Sequence, residues 1–523
     1  MPSGRSLALL LSLALAAVAT FVWPTVALLV DAARSPANLP AAPAFTERQM
    51  GLLLRGLGLS AGAAVGGLIL GAALAAGLVA RGGWLRAGSR ALACFTLLTP
   101  TYLIAYAWSL PLLPEGLPIG AAGSGVAPDW LTRDARAVLC LSIWLSPIAG
   151  LLLAAHWDSA PRRAYRQALL DAAPAAAVRA ALGLMAAPAL AASLLLASLA
   201  FAEYAIPHLC LRPTWNTELL AQLQLRESPA LLQAWSGMLV TLVLSLLGLL
   251  FRPNSPRPDA ALSDALSADA GIGRPATPRI AVIACLCAWL ALLSPVLLLL
   301  RFLQRPQALM QVWSIYADDW ADGAAYAAIA AALTAVLGLG WLLLAAGVNR
   351  PMAAALAGCA ALAALAPPAI VGEAHLLAAG SALTIRDTLW PIALLGAARF
   401  AIIPIVLCAA SLRETRAAAL LDSAAVDGAA RDAAFWTIAL PRATPSLLLG
   451  ALAAGVLTFG EISASVLVIP PGVGSVARSL LNEIHFGRND DVIALSLWTL
   501  LLSAALSAMF TRAGLLLDRP TTR

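Results

Sequence analysis

The chain has 523 residues, of which 61% are hydrophobic and only 11% charged, with a mean hydropathy of +0.86. A water-soluble protein carries roughly a quarter charged residues, so this composition cannot cover a soluble surface and excludes the soluble enzymes and the nucleic-acid binders. The net charge is +6, every one of the 33 basic residues is arginine, and the absence of lysine excludes a standard P-loop, whose lysine must reach the β- and γ-phosphates.

Apolar runs long enough to cross a bilayer as helices, about 20 residues each, recur along the whole chain. The first half predicts spans over 7–30, 56–80, 91–112, 137–156, 183–206 and 235–251. The second half predicts them over 280–300, 324–347, 352–371, 389–410, 446–469 and 492–511. The first run is longer than the apolar region of a signal peptide and is read as an uncleaved span. The expected fold is all-α and membrane-integral, two pseudo-symmetric bundles of about six helices each. Residues 1–251 form the first half and 280–523 the second. Between them, 252–279 is rich in proline and small polar residues, the composition of a flexible linker. Most arginines fall in the segments that are cytoplasmic if both termini are inside, which sets the expected orientation.

The seven cysteines and four histidines are scattered without zinc-ligand spacing, so they predict apolar packing and no metal site. Gly62, Gly66, Gly67 and Gly71 make small-xxx-small steps in the second span and predict close helix approach. Charged residues inside spans are costly and need a partner or a wet path. Glu203 and Glu461 stand in matching contexts, "FAE" and "FGE", late in their spans. They are candidate pathway residues, one from each half, suited to a cationic solute; a carboxylate at the membrane surface, capped by water, is the structural alternative. Arg399 is expected to pair with Glu461 or with exposed carbonyls, as a structural charge. Glu373 and His375 are two apart, share no helix face and receive no site.

Two cytoplasmic connections are long, and they occupy the same place in each half: 157–182 and 411–445. In the second, an alanine-rich helical stretch breaks at Gly428, where glycine tolerates a left-handed turn. A second short helix then leads to Leu440 and Pro441, the start of the next span, with Asp427 placed to cap it. Asp422-Ser423-Ala424, Gly428 and, nine residues on, Ile438, Leu440 and Pro441 resemble the cytoplasmic signature of ABC importer permeases, E-A-A-x-x-x-G followed by I-x-L-P. Asp and Ser replace the first Glu and Ala of that signature. The first half carries a worn copy, in which Asp171 stands opposite Gly428 and Pro188 opposite Pro445, with Pro174 between.

Nearly the whole chain resembles the fused, double-length permeases of the ferric-iron importer group and the similar thiamine importers. The stretches that carry this are "GAARFAIIPIVLCAASLRE", "LTFGEISASVLVIPPGVGSVARSLLNEI" and "LAFAEYAIPHLCLRPTWNTELL". The resemblance implies a permease in a bacterial inner membrane, served by a periplasmic solute-binding protein. It further implies two ATPase copies docked below, which hold the ATP and magnesium, so this chain binds no cofactor and is no enzyme by itself. Ferric iron is the expected solute and thiamine the alternative. The rival class is a six-plus-six secondary transporter driven by an ion gradient.

Overall fold

The computed structural model describes residues 4–34, 47–80, 83–112, 133–157, 164–165, 167, 174–224, 238–247, 279–381, 385–414, 417–486 and 489–517. Among these, every regular element is helical. Nine helices are long and apolar enough to span a bilayer: Arg5–Arg34, Glu47–Leu78, Ala135–Trp157, Ala181–Ala202, Arg279–Phe302, Ala317–Ala346, Trp390–Leu412, Phe435–Phe459 and Asp490–Arg512. A tenth is a bent pair, Arg350–Leu365 and Pro368–Ser381. Large apolar side chains such as Leu15, 74% exposed, and Ile280, 76% exposed, line their outer faces. In water such surfaces would aggregate, so the solvent they fit is lipid. The chain is a multi-pass, all-α membrane protein.

Four segments expected to be continuous are broken, and the breaks have local causes. Proline disfavours the α conformation of the residue before it. Ala366 is accordingly extended (φ −63°, ψ 146°), and the chain turns through 111° before Pro368–Ser381. The first half also breaks at a proline: Gly83–Leu98 stops short, Pro100 is itself extended with ψ 135°, and Thr101–Ala107 follows. The fifth and eleventh expected spans end at Ala202 and Phe459, with short helices, Ala205–Leu209 and Ser465–Val468, beyond the break. The expected sixth span is represented by Met238–Leu247, a shorter apolar helix. Of the linker 252–279, all but Arg279 lies outside the described residues.

Glycine sets the closest approaches, as the small-residue steps predict. A Cβ on Gly71 would lie 2.4 Å from Ala149 Cβ, and one on Gly66 would lie 2.3 Å from Ser142 Oγ, so Glu47–Leu78 packs backbone-to-backbone against Ala135–Trp157. The first helix of each half reaches across to the other. Leu13 and Ala16 pack on Leu337 and Leu344, whereas Cys285 and Trp289 pack on Ala80, Leu85 and Ser89. Gly340 and Gly88 leave the room, since a Cβ there would strike Leu13 and Trp289 at 2.5 and 2.3 Å. The last span also crosses the seam: Ser503 and Ser507 donate to the Leu98 and Ala91 carbonyls at 2.9 and 2.6 Å. One large core therefore joins Tyr102, Tyr204 and Leu219 to Tyr326, Phe459 and Ile493.

Candidate functional site

The 411–445 segment is built as a fixed root with a bare tip. Its first arm, Ala417–Val426, is an alanine-rich helix. It ends in paired Schellman bonds: the Ala429 amide donates to the Ala424 carbonyl at 2.9 Å and the Gly428 amide to Ala425 at 3.2 Å. That closure needs a left-handed residue, and Gly428 supplies it at φ +78°. Asp427 thus directly follows the first arm and closes it, its amide donating to Ser423 O. It does not cap the second arm as expected, because that arm begins only at Arg431 and the chain needs Gly428–Ala430 to turn.

The second arm is not a separate helix either. Arg431–Ala434 continues through a π-turn, Phe435–Ala439, into Leu440–Phe459. The Leu440 amide donates to Phe435 O, five residues back, immediately before Pro441, which has no amide to donate. The arm and the span are one rod. Its root is buried: Phe435, Ala439 and Ala443 pack with Leu342, Leu343 and Cys408. Trp436 Nε1 donates to Ser6 Oγ at 3.3 Å, and Ser411 Oγ to Arg442 O at 3.0 Å. Ile438 and Leu440 are half-buried and Pro441 is exposed. At the tip Ala424 is half-buried, whereas Asp422, Ser423, Ala425, Asp427 and Gly428 are exposed and Val426 is 87% exposed.

Of the first-half counterpart, Asp171 and half of 157–182 lie outside the described residues. Pro174 begins the Pro174–Ala202 helix, and Pro188 lies inside it, as Pro445 lies inside Leu440–Phe459. The register that pairs these prolines misses pairing Glu203 with Glu461 by one residue.

The two glutamates sit at the helix breaks, past the span ends, and both are buried (6% and 8% exposed). Glu203 Oε1 accepts from Thr101 Oγ1 at 2.8 Å and from the Ala205 amide at 2.9 Å. Glu461 accepts from the Ala464 and Ser465 amides at 2.9 and 2.8 Å, so each carboxylate caps the short helix that follows it. Arg399 Nε stands 3.8 Å from Glu461 Oε1, the pairing expected from sequence. The two halves meet here, since a Cβ on Gly460 would lie 2.4 Å from Pro100 Cγ. His375 is buried, with Nδ1 2.8 Å from Val371 O. No cluster of metal-ligating side chains occurs among the described residues.

Sequence reasoning missed Thr101 as a partner of Glu203, the breaks themselves, and a contact between Cys140 and Cys210. Pro100 and Pro367 signalled two of the breaks. Compared with known proteins, the chain matches no family model, no curated protein and no solved structure.

Proposed function

We propose that this chain is the membrane permease of a binding-protein-dependent ABC importer, with both termini in the cytoplasm of a bacterial cell. The observation that carries this reading is the Asp422–Pro441 segment. A motif resembling the importer signature coincides with an exposed helical elbow whose second arm is continuous with a span. Such an elbow fits a groove on a separate ATPase subunit, and the rod passes movement of that subunit into the membrane. The crossed first helices and the paired breaks at Glu203 and Glu461 are what two pseudo-symmetric halves around a shared pathway require. The bends held by these glutamates border that pathway, which is suited to ferric iron, with thiamine the second candidate. A solute-binding protein delivers the solute from outside, and two ATPase copies hold ATP and magnesium. An ion-gradient transporter has no use for an exposed elbow of this kind.

The test is uptake of radioactive ferric iron and of thiamine in cells lacking the gene, complemented with the native chain or with Gly428→Asp. Affinity purification of the tagged chain runs in parallel. We expect an ATP-hydrolysing subunit to copurify with the native chain and not with the variant, and iron uptake to fall with it. Uptake that persists without any ATPase and stops when the ion gradient is collapsed overturns the importer reading. Thiamine-only or unaffected uptake overturns the iron assignment alone.

A further inference from the structure

The turn after the Ala205–Leu209 helix is strained and clamped. Leu211 has φ +56°, in the left-handed region that a bulky side chain avoids, and the Leu211 and Arg212 amides close the turn onto His208 O and Pro207 O at 2.9 Å each. A strained residue persists only where its surroundings fix it. Here the start of Ala135–Trp157 does so. Arg212 forms an ion pair with Asp134, and Arg136 Nη2 donates to Leu209 O at 3.3 Å. The third contact is between thiols. Cys140, one and a half turns into the span, and Cys210, at the end of the short helix, belong to one buried core cluster, and both are fully buried. Cys140 Sγ also reaches Ile104 O at 3.9 Å.

We propose that Cys140 and Cys210 are a disulfide site that locks this turn to the span. The inference rests on the orientation adopted above, which puts residues 203–212 on the outer face, where disulfides form and persist. The oxidant is a disulfide carrier of the outer compartment. The Cys210 thiolate attacks one sulfur of the carrier's disulfide and expels the other as a thiolate, giving a mixed disulfide. The Cys140 thiolate then attacks Cys210 Sγ and expels the carrier's second sulfur. The two protons lost from Cys140 and Cys210 pass to the carrier, which leaves as a dithiol, two electrons reduced. The roles of the two thiols are interchangeable, because at this stage neither has the packed setting of the finished fold. Because both sulfurs are closed off, oxidation precedes final packing, and the finished bond is shielded from added reductant.

Growing cells are quenched in acid, and the full chain is denatured and alkylated with N-ethylmaleimide. It is then reduced, alkylated with a heavier maleimide and read by peptide mass. The expected result is heavy label on Cys140 and Cys210 and light label on Cys94, Cys285, Cys287, Cys359 and Cys408. Cys140→Ser should return Cys210 to the light pool. Light label on both in the native chain overturns the proposal, whichever way the protein faces. A reporter fused at the C-terminus reads orientation separately. Light label with a cytoplasmic reporter removes the disulfide and leaves the permease reading intact, whereas an external reporter removes the orientation on which both depend.

Discussion

Gly428 combines freedom and constraint in a way that can be separated by substitution. A Cβ there meets nothing within 4 Å, so the cost of a side chain is the left-handed conformation alone. Gly428→Ala should destabilise the elbow by about 1–2 kcal/mol, whereas Gly428→Asn, which tolerates this region, should cost less. Both variants should leave thermal unfolding of the membrane core unchanged and lower copurification of an ATPase in the order Gly, Asn, Ala; equal copurification would show that the turn does not set docking. Glu461 is constrained differently. Glu461→Gln keeps the shape but turns an amide group toward the Ala464 or Ser465 donor and leaves Arg399 without its partner. A buried unmet donor costs about 1–3 kcal/mol, so the melting temperature in detergent should fall. Iron uptake per folded molecule distinguishes a cap from a pathway ligand: it holds for the first and drops for the second. At this scale the sequence was partly readable. Gly428, Pro441 and the Arg399–Glu461 pair were legible because glycine, proline and intramembrane charges each have few physical uses. Asp427 was misassigned because an aspartate beside a glycine suits either end of a helix, and only the Ala429-to-Ala424 bond decides between them. The Cys140–Cys210 contact joins residues of separate helices that no local pattern links.

Whole helices follow the same division between what composition dictates and what packing adds. Glu47–Leu78 carries glycines that differ in purpose. Gly71 admits the Ser146–Gly150 backbone, whereas Gly58 faces open space. Gly71→Ala forces Cβ to 2.4 Å from Ala149 Cβ and should destabilise by about 1–3 kcal/mol, the usual cost of overpacking. Gly58→Ala should stabilise the helix by up to about 1 kcal/mol, because alanine loses less backbone entropy. Thermal unfolding of the two variants in one detergent checks the opposite signs. Span positions were legible because hydrocarbon admits only helices whose backbone bonds are internal, and the long runs at 137–156 and 280–300 fall within two residues of Ala135–Trp157 and Arg279–Phe302. The breaks were read through because "TYLIAYA" and "SVLV" are as apolar as the helices they follow, and hydropathy records what is buried, not where the chain bends. At Glu203 and Glu461 the cue was available in another form: a carboxylate among apolar residues must be answered by donors, and a broken helix supplies free amides.

Across the whole molecule the consequential feature is the exchange of first helices. Arg5–Arg34 packs through Leu13 and Ala16 on the second half, and Arg279–Phe302 packs through Cys285 and Trp289 on the first, where Trp289 Nε1 donates to Ser89 Oγ at 3.0 Å. Each half therefore holds a helix that packs on the other, and the seam is continuous core from Tyr102 to Ile493. The covalent connection through 252–279 raises the effective concentration of the two pieces for one another. Splitting the chain between residues 265 and 266 and producing both pieces together should then give halves that copurify in detergent through an affinity tag on either one. Omitting residues 1–34 from the first piece should weaken that association and lower the melting temperature of the second half more than that of the first, because Leu337, Leu344 and Leu356 lose their cover. Replacing Trp289 with alanine should do the reverse, uncovering Ala80 and Leu85 in the first half. Pieces that separate on the column, or a truncation that harms only its own piece, would mean that the covalent connection rather than the crossing helices holds the two pieces together.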